Sequence, residues 1–170
     1  ITVLKHFPGH GSSSTDTHKE FTDITESWVV EELYPYHKLM KEEKAYGVMT
    51  SHVVNNKIDD KNLPATLSEK VIDKLLREFL DYDGVVFSDD MQMGAITKYY
   101  GLDEALSLSI NAGVDVLIFS NNQLYKDMVT PDQVINSIEE SVRRGEISLL
   151  RIEESFRRIQ KLKKKIGLIN

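Results

Sequence analysis

Two short stretches collect residues able to move protons or attack an electrophile. One runs Lys5-His6-Phe7-Pro8-Gly9-His10-Gly11 and continues through four hydroxyl residues to Asp16-Thr17-His18. The other is Ser88-Asp89-Asp90. An imidazole with a pKa near ~6.5 both gives and takes a proton close to neutrality. A carboxylate two residues away, as Asp16 is from His18, can fix its tautomer and raise its basicity. That pairing suits a two-step reaction needing an acid first and a base second. Taken alone, an Asp-x-His pair on a loop also reads as a structural surface contact. Asp89 can serve as nucleophile, base or metal ligand. Its bland alternative is a helix N-cap. Neighbouring strand residues point to opposite faces, so the chemistry is assigned to Asp89 and the structural role to Asp90. His6, His10 and His18 do not have the spacing of a compact zinc site, and no metal is expected. Gly9-x-Gly11 lacks the third glycine of a phosphate-binding fingerprint.

The elements that must position these groups are legible as alternating patterns. Four short apolar runs read as buried strands: Ile1–Leu4, Tyr46–Thr50, Gly84–Phe87 and Asp115–Phe119. Helical periodicity follows each: Thr25–Glu43, Ser68–Leu80, Leu102–Ala112, then Pro131–Arg144 and Leu149–Ile166. Ser68 can cap the second helix, with Leu67 as a staple, and Gly113 and Gly167 end the third and the last. Strand then helix, four times, implies parallel strands with right-handed crossovers. Half of a TIM barrel and an open doubly wound sheet both satisfy that pattern. In either, all the polar clusters fall at strand C-termini. Lys5 and His6 follow the first strand, His52 the second, Asp89 and Asp90 the third, and Ser120 to Asn122 the fourth. Active sites of parallel α/β folds are built on that face. Met91 and Met93 read as core, with one of them available to line an apolar wall of a site.

Bulk properties narrow the partners. The chain has 170 residues, enough for one domain, and a net charge of -6, which argues against nucleic acid. The basic run from Arg157 to Lys165 lies in a helical pattern and reads as a solvated helix end. With no cysteine there are no disulfides, and the compartment stays open between cytoplasm and cell envelope. No apolar run approaches the ~20 residues of a membrane span. The start at Ile1, directly in a strand pattern, leads us to expect a gene product that extends upstream.

Together the motifs carry a resemblance. Lys5 to Gly11 with Asp16-Thr17-His18 resembles the signature of glycoside hydrolase family 3, and more narrowly of its β-N-acetylglucosaminidase (β-N-acetylhexosaminidase) branch, which trims bacterial cell-wall fragments. Gly84-Val85-Val86-Phe87-Ser88-Asp89-Asp90-Met91 is similar to that family's nucleophile strand. Ala112 to Leu117 resembles its final strand, and Arg151 to Leu168 the helix closing its barrel domain. Residues 1–170 then correspond to the C-terminal half of the catalytic barrel: the last four of eight strand–helix units plus an extra C-terminal helix.

The resemblance implies roles. Asp89 matches the nucleophile, His18 the acid–base and Asp16 its orienting partner. Lys5 and His6 match residues that bind sugar hydroxyls, and His10, His52 and Met93 are assigned to the same substrate site. The implied reaction is retaining, exo-acting hydrolysis of terminal β-N-acetylglucosamine from muropeptide or chitin-derived sugars, by double displacement and without a cofactor. Two alternatives keep the residues: a β-N-acetylglucosaminide phosphorylase, and a catalytically inert half-barrel. The implied partners are a carbohydrate substrate and either the missing N-terminal half or a second copy of the chain.

Overall fold

The computed structural model describes residues 1–11, 13, 22–122 and 128–170. Asp16 and His18 lie outside the described residues. Among the described residues six strands form: β1 (Val3–Phe7), β2 (Thr22–Asp23), β3 (Gly47–Thr50), β4 (Val53–Val54), β5 (Val85–Asp90) and β6 (Val116–Ile118). A four-stranded sheet runs β1-β3-β5-β6 with every neighbouring pair parallel. The two-residue strands β2 and β4 pair separately. A 3₁₀ turn, Val30–Leu33, leads into α1 (Tyr34–Lys41). Next come a helix of π type (Lys70–Phe79), α2 (Gly94–Thr97), α3 (Leu102–Ala112), α4 (Pro131–Arg143) and α5 (Leu149–Lys165).

The strand order separates the two architectures that the sequence allows. A doubly wound sheet reverses its order at a switch point. Here each crossover advances one strand in the same direction, as in a barrel wall. Val48 and Val86 face outward into the main core, where Tyr36, Ile72, Leu76 and Val114 cover them. Val3, Gly47 and Phe87 meet on the opposite, inner face. The fold is therefore a partial α/β barrel, with β1 and β6 as its edge strands.

Several boundaries differ from the sequence reading for physical reasons. The helix expected from Thr25 begins only at Val30, and its α-helical part at Tyr34. Pro35 occupies the first turn of α1, where its missing N–H costs nothing, and it could not sit mid-helix. Strands β1 and β5 reach further than their apolar runs, taking in Lys5, His6, Asp89 and Asp90. At a barrel mouth the backbone ladder continues while side chains face the site, so polarity does not end the strand. Ser68 does perform as a cap: its Oγ accepts the Val71 N–H at 3.2 Å, and Leu67 is buried. Thr130 and Gln133 form a reciprocal capping box on α4.

Gly113 ends α3 with φ +118°, and a Cβ there would lie 2.8 Å from Ile72 Cγ2. Gly113→Ala meets both a left-handed backbone and a core contact. It is expected to cost about 1–3 kcal/mol, read as a lower urea midpoint.

A charge cluster binds the helices to the strand N-termini. The side chain of Asp115, just before β6, is fully buried and takes Arg77, Arg151 and Arg158 together. A cavity of about 360 Å³, lined in part by Tyr46, Tyr82, Asp83 and Lys165, opens at this same end. It lies at the opposite end of the sheet from the polar strand termini.

Candidate active site

The candidate site lies at the C-terminal ends of β1, β3 and β5. Lys5 is exposed and His6 half-buried near the end of β1. The loop beyond is fixed at several points. The Trp28 indole N–H donates to the Pro8 carbonyl at 3.0 Å. Gly9 adopts φ +130° over Glu32, where a Cβ would fall 2.5 Å from Glu32 Oε2. Both the conformation and the close approach require glycine. Both the Lys5–His6 and Phe7–Pro8 peptides are cis. The His6 and His10 rings meet edge to face at 6.0 Å. Ser13 Oγ lies 2.6 Å from His10 Nδ1.

Asp89 is the penultimate residue of β5 and is half-buried. The β5–β6 register shifts between Phe87 and Asp90, which re-aims the strand end carrying it. Its Oδ1 accepts the Asp90 N–H at 2.8 Å. Asp90 does not cap a helix. The next helix has Met93 at its N-cap, without a side-chain bond. Asp90 instead closes the turn after β5 and fastens the exit of β6. Its Oδ1 accepts from the N–H groups of Gln92 (3.1 Å) and Ser120 (3.2 Å), and its Oδ2 accepts from the Ser120 hydroxyl.

His52 does not sit where a sugar ligand would need it. Its side chain is fully buried. Nε2 lies 2.9 Å from the Asp90 carbonyl and Nδ1 lies 2.9 Å from Thr66 Oγ1. A carbonyl only accepts, so Nε2 carries a proton, while Nδ1 lies beside the Thr66 hydroxyl, whose oxygen also reaches the Ser51 carbonyl at 2.9 Å. Both nitrogens are used inside the protein, and the expected sugar contact is withdrawn. The sequence showed a polar residue at a strand end but not the inward turn of the chain into β4. Met93 is 8% exposed at the start of α2, and Met91 lies in the core beside Leu67, Ile96 and Ala105. Thr66 and Thr50, bonded to one another at 2.8 Å, belong to the buried polar chain under the site. Sequence reasoning missed them because a threonine in Pro-Ala-Thr-Leu-Ser has no pattern to single it out.

Burial pushes the His52 imidazole below its ordinary 6.5. The Asp90 carbonyl and the charges of Asp89 and Asp90 oppose this, and His6 adds to it. Asp89 and His6 are thus within electrostatic reach of His52. With the folded pKa lowered, the unfolded chain takes up the proton first as pH falls. The stability held by the neutral ring is fully present above about pH 6.5 and declines below it, down to the lowered folded value. The urea midpoint is expected to drop as pH falls below about 6.5, and His52→Gln to flatten that slope. Among the described residues no group of three or more His, Cys, Asp or Glu is arranged to hold a metal ion.

Known proteins share this arrangement of strands. The model of the Glycosyl hydrolase family 3 N terminal domain matches residues 1–162. The chain belongs to glycosyl hydrolase family 3. A β-hexosaminidase of Hydrogenovibrio crunogenus is 33% identical over 144 residues, which cover 81% of this chain and 37% of that protein. The structure of a family 3 β-N-acetylglucosaminidase from Paenibacillus sp. superposes with a TM-score of 0.84 at 35% identity, covering 95% of this chain and 30% of that one. A β-glucoside phosphorylase, BglX, superposes with a TM-score of 0.85 at 26% identity, covering 99% of this chain and 31% of that one. The chain spans about a third of the length of the curated relatives it matches.

Proposed function

We propose that the chain carries the nucleophile and acid–base residues of a retaining β-N-acetylglucosaminidase. The observation that carries this reading is Asp89. It stands at the C-terminal end of a barrel strand with one carboxylate oxygen fixed by a main-chain N–H. Asp89 attacks the anomeric carbon and forms a covalent glycosyl-enzyme, while His18 protonates the leaving oxygen. His18 then takes a proton from water, which releases the sugar with its β configuration retained. Asp16 orients His18. Lys5 and His6 bind the sugar's hydroxyls, and His10, steadied by Ser13, lines the same rim. The substrate class is terminal β-N-acetylglucosamine on muropeptide or chitin-derived sugars. Edge strands β1 and β6 are paired by the other half of a barrel, from the same polypeptide or from a second copy. Intact mass and assembly size of the active material tell these apart.

Hydrolysis of aryl N-acetylglucosaminides tests the reading. His18→Ala is expected to slow substrates with poor leaving groups about 10²-fold or more, and activated aryl substrates far less. Equal slowing of both classes would remove His18 from the acid role. The likeness to a β-glucoside phosphorylase supports a second reading, with phosphate as acceptor. A sugar 1-phosphate as main product in phosphate buffer would select it over hydrolysis.

A further inference from the structure

Beneath the strand ends runs a buried hydrogen-bonded chain that the reaction does not use directly. It begins at Thr50, whose Oγ1 lies 2.8 Å from Thr66 Oγ1. Thr66 Oγ1 lies 2.9 Å from His52 Nδ1, and His52 Nε2 lies 2.9 Å from the Asp90 carbonyl. The same residue's N–H donates to Asp89 Oδ1 at 2.8 Å. Thr50, Thr66 and His52 are all fully buried. The main chain of Asp90 is therefore held on its carbonyl side by His52, and on its N–H side it holds Asp89.

We infer that His52 is a positioning residue for the Asp89 carboxylate, acting through the main chain of Asp90. Three features support this over a packing role. The bond to the main chain has one direction: the Asp90 carbonyl only accepts, so His52 Nε2 must carry a proton and donate it. Its partner is the backbone of the strand that bears Asp89, at the point where the β5–β6 register shifts. Such an irregular stretch lacks the regular ladder that would otherwise hold it. Finally, engaging Asp89 Oδ1 leaves its other oxygen to face an electrophile; among the described residues Oδ2 makes no hydrogen bond. A shift of about an ångström in a reacting group costs up to about 10²-fold in rate. The inference rests on Asp89 being the nucleophile of the proposed glycosidase, and its test has one readout that needs no turnover.

The test compares His52→Ala, His52→Gln and Thr66→Val in the full chain. Glutamine places its amide nitrogen the same number of bonds from Cα as imidazole Nε2, so it can donate to the Asp90 carbonyl. His52→Ala is expected to lower kcat on aryl N-acetylglucosaminides about 10- to 100-fold with KM within about twofold. His52→Gln should recover most of that loss. In the NMR spectrum the Asp90 amide proton should move upfield in His52→Ala and return in His52→Gln. Should the alanine variant not fold, Thr66→Val carries the comparison, with a smaller loss of kcat and a smaller shift of the same proton. A rise in KM with kcat unchanged would make His52 a sugar contact and overturn the inference. So would equal losses in Ala and Gln with the Asp90 amide unmoved. Absence of turnover in every protein, with the amide response present, would sink the hydrolase reading while upholding the positioning of Asp89.

Discussion

Asp89→Ala is expected to lower turnover by about four orders of magnitude or more while the protein stays folded. The nucleophile of a double displacement has no substitute unless a second carboxylate can reach the anomeric carbon. Asp90 is adjacent but cannot take over. Both its oxygens are committed, one to the N–H groups of Gln92 and Ser120 and the other to the Ser120 hydroxyl. Removing the Asp89 side chain leaves a gap at a half-buried position, and a small anion such as azide should enter it and restore part of the rate, giving a glycosyl azide of inverted configuration. Asp90→Ala should behave differently. It frees the turn after β5 and the exit of β6, so its main effect should be on the urea midpoint. The measurement is kcat/KM for both variants alongside their circular dichroism. Equal losses of activity in two well-folded variants would overturn the division of labour between the neighbours.

That the Asp89 and Asp90 side chains take different partners was legible in the sequence, because strand alternation forbids adjacent side chains to share a face. The parallel order was legible too, since strand and helix patterns alternate four times. The inward placement of His52 was not. A histidine after an apolar strand suits both a site ligand and a buried bridge, and only the hydrogen bonds to Thr66 and the Asp90 carbonyl decide between them. The start of the first helix was masked similarly, because apolar Trp28 and Val29 continue the helical stripe although Pro35 sets where the helix proper begins. Asp115 read simply as the first residue of a strand. Nothing local announces that three arginines, from positions 77, 151 and 158, converge on it. Convergence from distant segments is a tertiary fact, and that carboxylate has the largest expected effect on stability.

Asp115→Ala should destabilise the fold by about 3–5 kcal/mol. The Asp115 side chain is completely buried, and the Arg77, Arg151 and Arg158 side chains facing it are only 10, 11 and 10% exposed. Its Oδ2 accepts from Arg77 at 2.9 Å and from the Val86 N–H at 3.0 Å. Its Oδ1 accepts from Arg151 at 3.0 Å, Ser155 at 2.7 Å and Arg158 at 3.3 Å. The burial that lowers the Arg77 pKa from its ordinary value is opposed chiefly by Asp115. Guanidinium groups do not neutralise in proteins, so removing the carboxylate takes from Arg77 the anion it faces and leaves Arg151 and Arg158 only the more exposed Glu154 and Asp83. The arginines also bond main-chain carbonyls, Arg77 those of Tyr82, Gly84 and Gly113, and Arg151 those of Ile110 and Val114. Repulsion between them therefore pulls on the Lys70–Phe79 helix, α3 and α5 at once. Asp83 provides the control. It pairs with Arg157, Arg158 and Lys161, which hold its carboxyl below the usual range, but it is half exposed. Solvent screens that group, so Asp83→Ala should cost no more than about 1 kcal/mol. Urea unfolding of both variants decides the matter: similar midpoints would mean that burial of Asp115 does not set the strength of the cluster.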